Sequence, residues 1–564
     1  MFKMIYNIAR TELQMLFYSP VAWLILVVFG VQSGMLFANQ LTGLVSSQEM
    51  GYSVEGATIT IFASRWGGVF TLMQNYLYFY IPLLTMSLVS KELSSGSIRL
   101  LYSSPITNTQ IIVGKFFSMM IYGLIMIGIL FLITLCSWAV VKDFELSMVL
   151  TGLLGLYLLI CAYAAIGIFM SSLTSYQIVA AIGTFAVLMV LSMIGGWWQE
   201  YDFIRDVTYW LSMPGRSGKF IAGLICSEDV LYFVIVVCLF LSLTIIRLNS
   251  VRQKIRFVIT LGRNIGVIFL ACFLGYLSAL PQMKLYHDAT STKINTLTPN
   301  SQDIVAKLDG GMTITTYINA LDPGSSWFAA PYFLKPDMER FEQYLRFKPD
   351  MKFKYIYYYD HVLNGHSCCA PGDDLEEAAR KQAKVNGLDF DDVLSPEEMR
   401  EIHDLSGENN QVVRTLEDSE GNWTYLRMYN DLNPYPSEQE ISVALLRMKD
   451  GAVKMGALYG HGEREMNKSG DREIGWLFTN GSGRHSLINQ GFDPVSIPLT
   501  EDWGIPDDVQ ILLIIDPKEA FSKVELEKIR DYVASGRHLI IATDVNRSAV
   551  MGELLADFGV QALP

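Results

Sequence analysis

Six stretches in the first half of the chain carry no charged residue: Leu13 to Gln48, Trp66 to Ser90, Phe116 to Val141, Leu146 to Gln199, Val230 to Ile246 and Asn264 to Met283. A bilayer-spanning helix needs about 20 mostly apolar residues, because every backbone group in hydrocarbon must be bonded within the segment. The fourth stretch is long enough for two passes, split near Ser171 to Tyr176, so the pattern predicts seven spans. Lys and Arg set the orientation. With the N-terminus in the cytoplasm, ten basic residues fall on inner segments and five (Arg65, Lys142, Arg205, Arg216, Lys219) on outer connections. Seven passes then place everything after about residue 285 outside the cytoplasm. Ahead of the first span, Lys3, Asn7, Arg10 and Gln14 recur at helical spacing, with Phe2, Ile5, Ala9, Leu13 and Leu16 on the other face. This predicts an interfacial amphipathic helix over 1–18, turned into the first span by Ser19-Pro20.

Beyond residue 285 the periodicity is that of a soluble α/β protein. Met312 to Asn319 and Met351 to Tyr359 read as strands, with a helix near Lys335 to Phe347 between them. Asp374 to Asn386, Pro396 to Leu405 and Ser437 to Met448 read as helices, the last two opened by Ser-Pro and Pro-Ser start signals. The last hundred residues predict a strand at Val453 to Tyr459, a helix near Glu473 to Gln490, a strand at Gln510 to Ile515, a helix at Lys523 to Ala534 and a strand at His538 to Ala542. The continuous apolar runs Ile511 to Ile515 and Leu539 to Ala542, flanking a helix, are the mark of a right-handed β-α-β unit in a parallel sheet. The expected division is therefore 1–18, 19–250 with six spans, 251–285 with a basic linker and seventh span, 286–450, and 451–564. The last α/β segment stops where such a sheet usually continues, so an incomplete C-terminus is expected.

Composition agrees with two regimes. The hydrophobic fraction is 51% and the charged fraction 18%, with a mean hydropathy of +0.29, which excludes a disordered chain and an ordinary soluble one. The formal charge is −13, but residues 1–285 hold 16 basic and 11 acidic side chains, so the acidity belongs to the second half. That balance excludes nucleic acid as a partner, since counterion displacement needs Lys and Arg. Five of the seven cysteines lie in or beside apolar runs and read as small hydrophobes; Cys368 and Cys369 lack the spacing of a metal or redox pair. The first apolar run has no cleavage site and reads as an anchor.

The segment after the second span reads Lys91-Glu92-Leu-Ser-Ser-Gly96-Ser97-Ile-Arg99-Leu-Leu-Tyr-Ser-Ser-Pro105, closing on Gly114-Lys115. It resembles the signature segment of ABC-2 type transporter permeases, with Ser97 in place of the usual threonine and Arg99 of a common glutamate. Further pieces resemble the auxiliary proteins of gliding-motility (Gld) type ABC transporters: Leu297-Thr-Pro-Asn-Ser-Gln, Glu438-Gln-Glu-Ile-Ser-Val-Ala-Leu, Tyr459-Gly-His-Gly-Glu463 and the strand ending at Asp516-Pro517-Lys518. The resemblance thus implies a GldF-like permease fused to a GldG-like auxiliary module. The implied fold is a multi-pass α-helical membrane domain followed by a soluble α/β module with a parallel sheet. The implied function is the permease subunit of an ATP-driven transporter in a bacterial inner membrane. Its partners would be the lipid bilayer, a cytosolic ABC ATPase, a second permease copy or related permease, and periplasmic envelope proteins. Lys91, Glu92, Gly96, Arg99, Pro105, Gly114 and Lys115 would form the ATPase-coupling segment, with Gly96 and Pro105 bracketing a short helix and Glu92 and Arg99 offering charges to the partner.

Absences sharpen the assignment. No Gly-x-x-x-x-Gly-Lys-Ser/Thr occurs, so ATP and Mg are expected in a partner subunit and no cofactor in this chain. The charge-free spans lack the ionisable residues that proton- or ion-coupled transporters place in the membrane. Gly460-His461-Gly462-Glu463 follows a predicted strand and is the candidate binding loop of the outer module, its glycines supplying backbone freedom. One His and one Glu are too few for zinc, and no Gly-x-Ser-x-Gly nucleophile motif is present. No catalytic or metal residue is assigned. The competing readings are a membrane-tethered hydrolase or amidotransferase-like enzyme, and a structural envelope anchor.

Overall fold

The computed structural model describes residues 2–65, 67–98, 106–199, 201–253, 256–280, 283–322, 330–363, 374–431, 433–468, 470–500, 502–544, 546 and 548–561. They form two compact units, Met1–Thr296 and Leu297–Pro564. Arg99, Pro105, Cys368 and Cys369 lie outside the described residues.

The first unit is helical. The amphipathic helix α1 (Phe2–Tyr18) is followed, after Ser19, by α2 (Pro20–Glu49), with the proline at its first position where the missing N–H costs nothing. Then come the short α3 (Ala57–Phe62), α4 (Val69–Thr85), the short α5 (Ser90–Ser95), α6 (Asn108–Val140), α7 (Leu146–Leu173) and α8 (Gln177–Met193). Two further helices, α9 (Asp202–Leu211) and α10 (Met213–Ile221), precede α11 (Ser227–Gln253) and α12 (Phe257–Ser278). Among the described residues six helices are long and apolar enough to cross a membrane: α2, α6, α7, α8 with its 3-10 extension to Gly196, α11 and α12. The split between α7 and α8 falls at residues 174–176. The stretch Trp66 to Ser90 yields α4, a 17-residue helix with Pro82 inside it, at the lower limit for a full pass. The core gathers on α7, against which α4, α6, α10 and α11 pack.

The connection between the fifth and sixth predicted spans is no loop. It folds into α9, α10 and strand β1 (Leu224–Cys226), which pairs antiparallel with β2 (Tyr286–Asp288). Arg216, counted as an outer-loop charge, is buried on α10 and donates to Asp229 at 2.6 Å and Glu228 at 3.3 Å.

The second unit contains two sheets. The first is mixed, ordered β5-β4-β3-β6-β7, with β3 (Met312–Asn319), β4 (Met351–Tyr358) and β5 (Val393–Leu394) parallel and β6 (Val413–Asp418) and β7 (Trp423–Arg427) added antiparallel beside β3. The second is wholly parallel, ordered β11-β10-β8-β9: β8 (Val453–Tyr459), β9 (Phe492–Pro498), β10 (Ile511–Ile515) and β11 (His538–Ala542). The predicted β10-helix-β11 unit is present, its helix being Lys523–Ala534. The helix expected over Glu473 to Gln490 is not. Only Gly475–Phe478 and a 3-10 turn at Leu487–Asn489 form there, because Gly481 and Gly483 interrupt the run and Asn489 donates to the carbonyls of Gly481 and Gly483 (both 2.9 Å). The single helix expected at Lys335 to Phe347 is two short ones, Leu334–Glu339 and Glu342–Phe347.

Candidate functional site

Two places gather the predicted site residues, one in each unit. In the first unit the polypeptide leaves α4, makes a turn over 86–89 and enters α5. The Ser171 hydroxyl, near the end of α7, accepts from the backbone N–H of Val89 (3.1 Å) and Ser90 (3.0 Å) and donates to the Met86 carbonyl (2.9 Å). One buried serine thus fixes where α5 starts. Gly96 ends it at φ +73°, a left-handed cap that a residue with a Cβ adopts only under strain. One short helix thus precedes Gly96; Ile98 is helical again, and the rest of the segment up to Pro105, where the sequence places a helix, lies outside the described residues.

Glu92 on α5 faces inward. Its carboxylate accepts from Lys115 Nζ at 2.7 Å, and the same ammonium donates to Glu12 on α1. Lys115 is only 1% exposed and Glu12 7%. Gly114 makes the arrangement possible: a Cβ there would stand 2.7 Å from Ile8 Cγ2, so α1 lies directly on α6 at this glycine. The adjacent lysine then reaches both α1 and α5. The three side chains carry two carboxylates against one cation in a buried place, where desolvation is costly. Burial pushes Glu92 above the ordinary carboxylate range, outweighing the attraction of Lys115. Glu92 is thus engaged inside the chain, whereas Lys91, its neighbour, is exposed. Sequence reasoning paired neither Glu12 nor Ser171 with this segment. The signal for Glu12 was available, because Ile5, Ala9, Glu12 and Leu16 recur at spacings of 4, 3 and 4 and form the buried stripe of α1. Phe2, placed on the apolar face by the sequence, is 85% exposed.

In the second unit the loop Gly460-His461-Gly462-Glu463 leaves the carboxyl end of β8. Gly460 (φ +127°) and Gly462 (φ +72°) both take left-handed backbone. The loop closes on itself: the buried Glu463 carboxylate accepts the His461 backbone N–H at 2.7 Å, and the His461 carbonyl accepts the N–H groups of Lys518 (2.8 Å) and Glu519 (3.0 Å). The imidazole lies between two carboxylates, with Nε2 3.1 Å from Glu525 and Nδ1 3.5 Å from Glu463, and against the Phe521 ring. Burial opposes the charge of Glu525, but the Ser522 backbone N–H, His461 and the Ser522 hydroxyl outweigh it and hold the carboxyl below its usual range. Beside them Arg472 donates to Asp516 at 3.0 Å and to the Glu463 carbonyl at 3.3 Å. The two carboxylates address opposite ring nitrogens and so do not converge on one metal position. Among the described residues no group of three metal-ligating side chains occurs. The chemistry on offer is hydrogen bonding and charge pairing.

Comparison with known families accords with this architecture. Residues 6–199 match a family model described as ABC-2 family transporter protein, and residues 453–554 match one described as ABC-type uncharacterized transport system. No curated protein matches the chain. The first match covers α1 to α8, including the Glu12, Glu92 and Lys115 cluster; the second covers the parallel sheet and its His461 loop. The chain thus joins an ABC-2 transporter segment to an auxiliary transport segment, as the sequence motifs implied.

Proposed function

We propose that the chain is the membrane-spanning permease subunit of an ATP-driven ABC-2 type transporter, with a Gld-type auxiliary module fused to it outside the cytoplasm. In this reading a separate cytosolic ATPase binds ATP and Mg, and a second permease copy or a related permease completes the translocation path. The N-terminus and residues 91–115 face the cytosol, and α4 joins the six longer helices as a seventh span. The observation that carries the proposal is the wiring of α5. A push on this short helix reaches α6 and α1 through Glu92, Lys115 and Glu12, and reaches α7 through Ser171. Buried, hydrogen-bonded connections of this kind move as a unit, which an ATPase seated on α5 requires. In this reading the outer module binds rather than catalyses: the His461 imidazole is held between Glu463 and Glu525, and its loop is pinned by its own backbone.

Affinity purification of the tagged chain from native membranes separates the alternatives. A permease brings down a P-loop ATPase in stoichiometric amount. A tethered hydrolase comes without one, and an envelope anchor brings only envelope proteins.

A further inference from the structure

A cavity of about 260 Å³ opens beside α5, between the second half of α1, the start of α2 and the end of α4. Its walls are apolar, formed by Met15, Val21, Leu83 and Leu84, and its rim is polar, formed by Ser87, Lys91 and Gln177. The cavity spans the turn from α1 into α2 at Ser19-Pro20, where an interfacial helix meets a span. Lys91 is the free cation of the rim: no ion pair engages its ammonium among the described residues. Glu12 also lines the cavity, its carboxylate paired with the Lys115 ammonium that it shares with Glu92. The cavity is too small for a whole amphiphile, yet it continues into the exposed apolar face of α2, where Val21, Leu24 and Val28 are 40%, 63% and 44% exposed.

We propose that this cavity holds the interfacial part of one anionic phospholipid, with the phosphate on Lys91 and the acyl chains laid along α2. A soluble protein segment would leave the apolar face of α2 uncovered, whereas a lipid covers both the face and the charge. The lipid then sits against α5 and α1 together, so it belongs to the same moving unit as the Lys115 cluster. The inference rests on the membrane location of the first unit and not on the ATPase, so it stands or falls independently of the proposed function.

The test uses the full-length chain in phosphatidylcholine vesicles doped with a photoactivatable phosphatidylglycerol whose reactive group lies near the glycerol end of one acyl chain. A phosphatidylcholine probe of the same design runs in parallel. The expected result is adducts within 15–22 and 83–91, stronger with phosphatidylglycerol. Lys91→Glu should lower them by about fivefold or more, the factor that about 1 kcal/mol for one basic residue at an anionic surface represents. Ser87→Trp, which fills the cavity, should lower them as well; should that variant fail to fold, the exposed Lys91→Glu alone decides. Adducts spread evenly over the exposed faces of α2 and α8, equal labelling by both probes, or labelling unchanged in Lys91→Glu would overturn the proposal. Adducts that vanish because a second copy or a partner protein crosslinks at these residues would overturn it too.

Discussion

The cluster that joins α1, α5 and α6 depends on one residue, Lys115. Its ammonium offsets the buried Glu12 and the half-buried Glu92, so losing it differs in kind from losing one of them. Lys115→Met should destabilise the first unit by about 3 to 5 kcal/mol, the cost of leaving buried charge unpaired. Glu92→Gln keeps the Glu12 pair, removes the excess negative charge and should cost less than about 1.5 kcal/mol. Thermal unfolding in detergent, read side by side, checks this; equal losses would show that the cluster does not work as described. Because Glu92 sits above its unfolded value, its contribution is fully present in acid and is lost as pH rises through the folded pKa. Glu525 has the opposite sign. Its depressed pKa stabilises the second unit above the unfolded value and loses that effect as pH falls through the folded one. Glu525→Gln should therefore flatten the acid side of the second unit's pH–stability curve, measured by tryptophan fluorescence of the full chain, and a curve unchanged below about pH 4.5 would contradict the depression of the Glu525 carboxyl by Ser522 and His461. Gly114 and Lys115 were legible as part of a motif, but their purpose was not, because the partner Glu12 lies about a hundred positions away and only packing brings it near.

At the element scale, α5 is placed by Ser171 on α7. Ser171→Ala leaves the buried N–H groups of Val89 and Ser90 unsatisfied, which should cost about 1 to 3 kcal/mol in total and free the start of α5. Hydrogen exchange over 86–95 should then rise while exchange in α7 stays slow, and unchanged protection would remove Ser171 from the account. Elements with regular apolar periodicity were read from the sequence almost to the residue: β3, β8, β11 and the helix Lys523–Ala534. The omissions have physical causes. The β6–β7 hairpin hides Arg414 at 0% exposure, paired with Asp337 at 2.5 Å, so a buried charge breaks the apolar alternation. Strand β9 contains Pro494 and Pro498, tolerated because it lies at the edge of its sheet. Helices α9 and α10 follow the tryptophan-rich stretch after α8 and were hidden by the expectation of a loop.

For the whole molecule, the charge asymmetry of the connections predicts that Arg256 and Lys384 lie on opposite sides of the membrane. In a cysteine-free background, Lys384→Cys should react with an impermeant thiol reagent in intact spheroplasts and Arg256→Cys should react only after lysis. The reverse pattern would invalidate the seven-span arrangement. The membrane and α/β halves were legible because their hydrophobic periodicities differ, and the family motifs supplied the transporter context. What periodicity cannot carry is the contact of one element with another, and the coupling of α5 to three helices is made of such contacts. If this coupling receives the ATPase, replacing residues 92–104 by a flexible Gly/Ser linker of equal length removes the ATPase's seat. Tagged wild-type and replaced chains, purified from native membranes at matched expression, should differ in one respect: the ATPase accompanies the first and is lost from the second. An ATPase retained in full by the replaced chain would contradict the account.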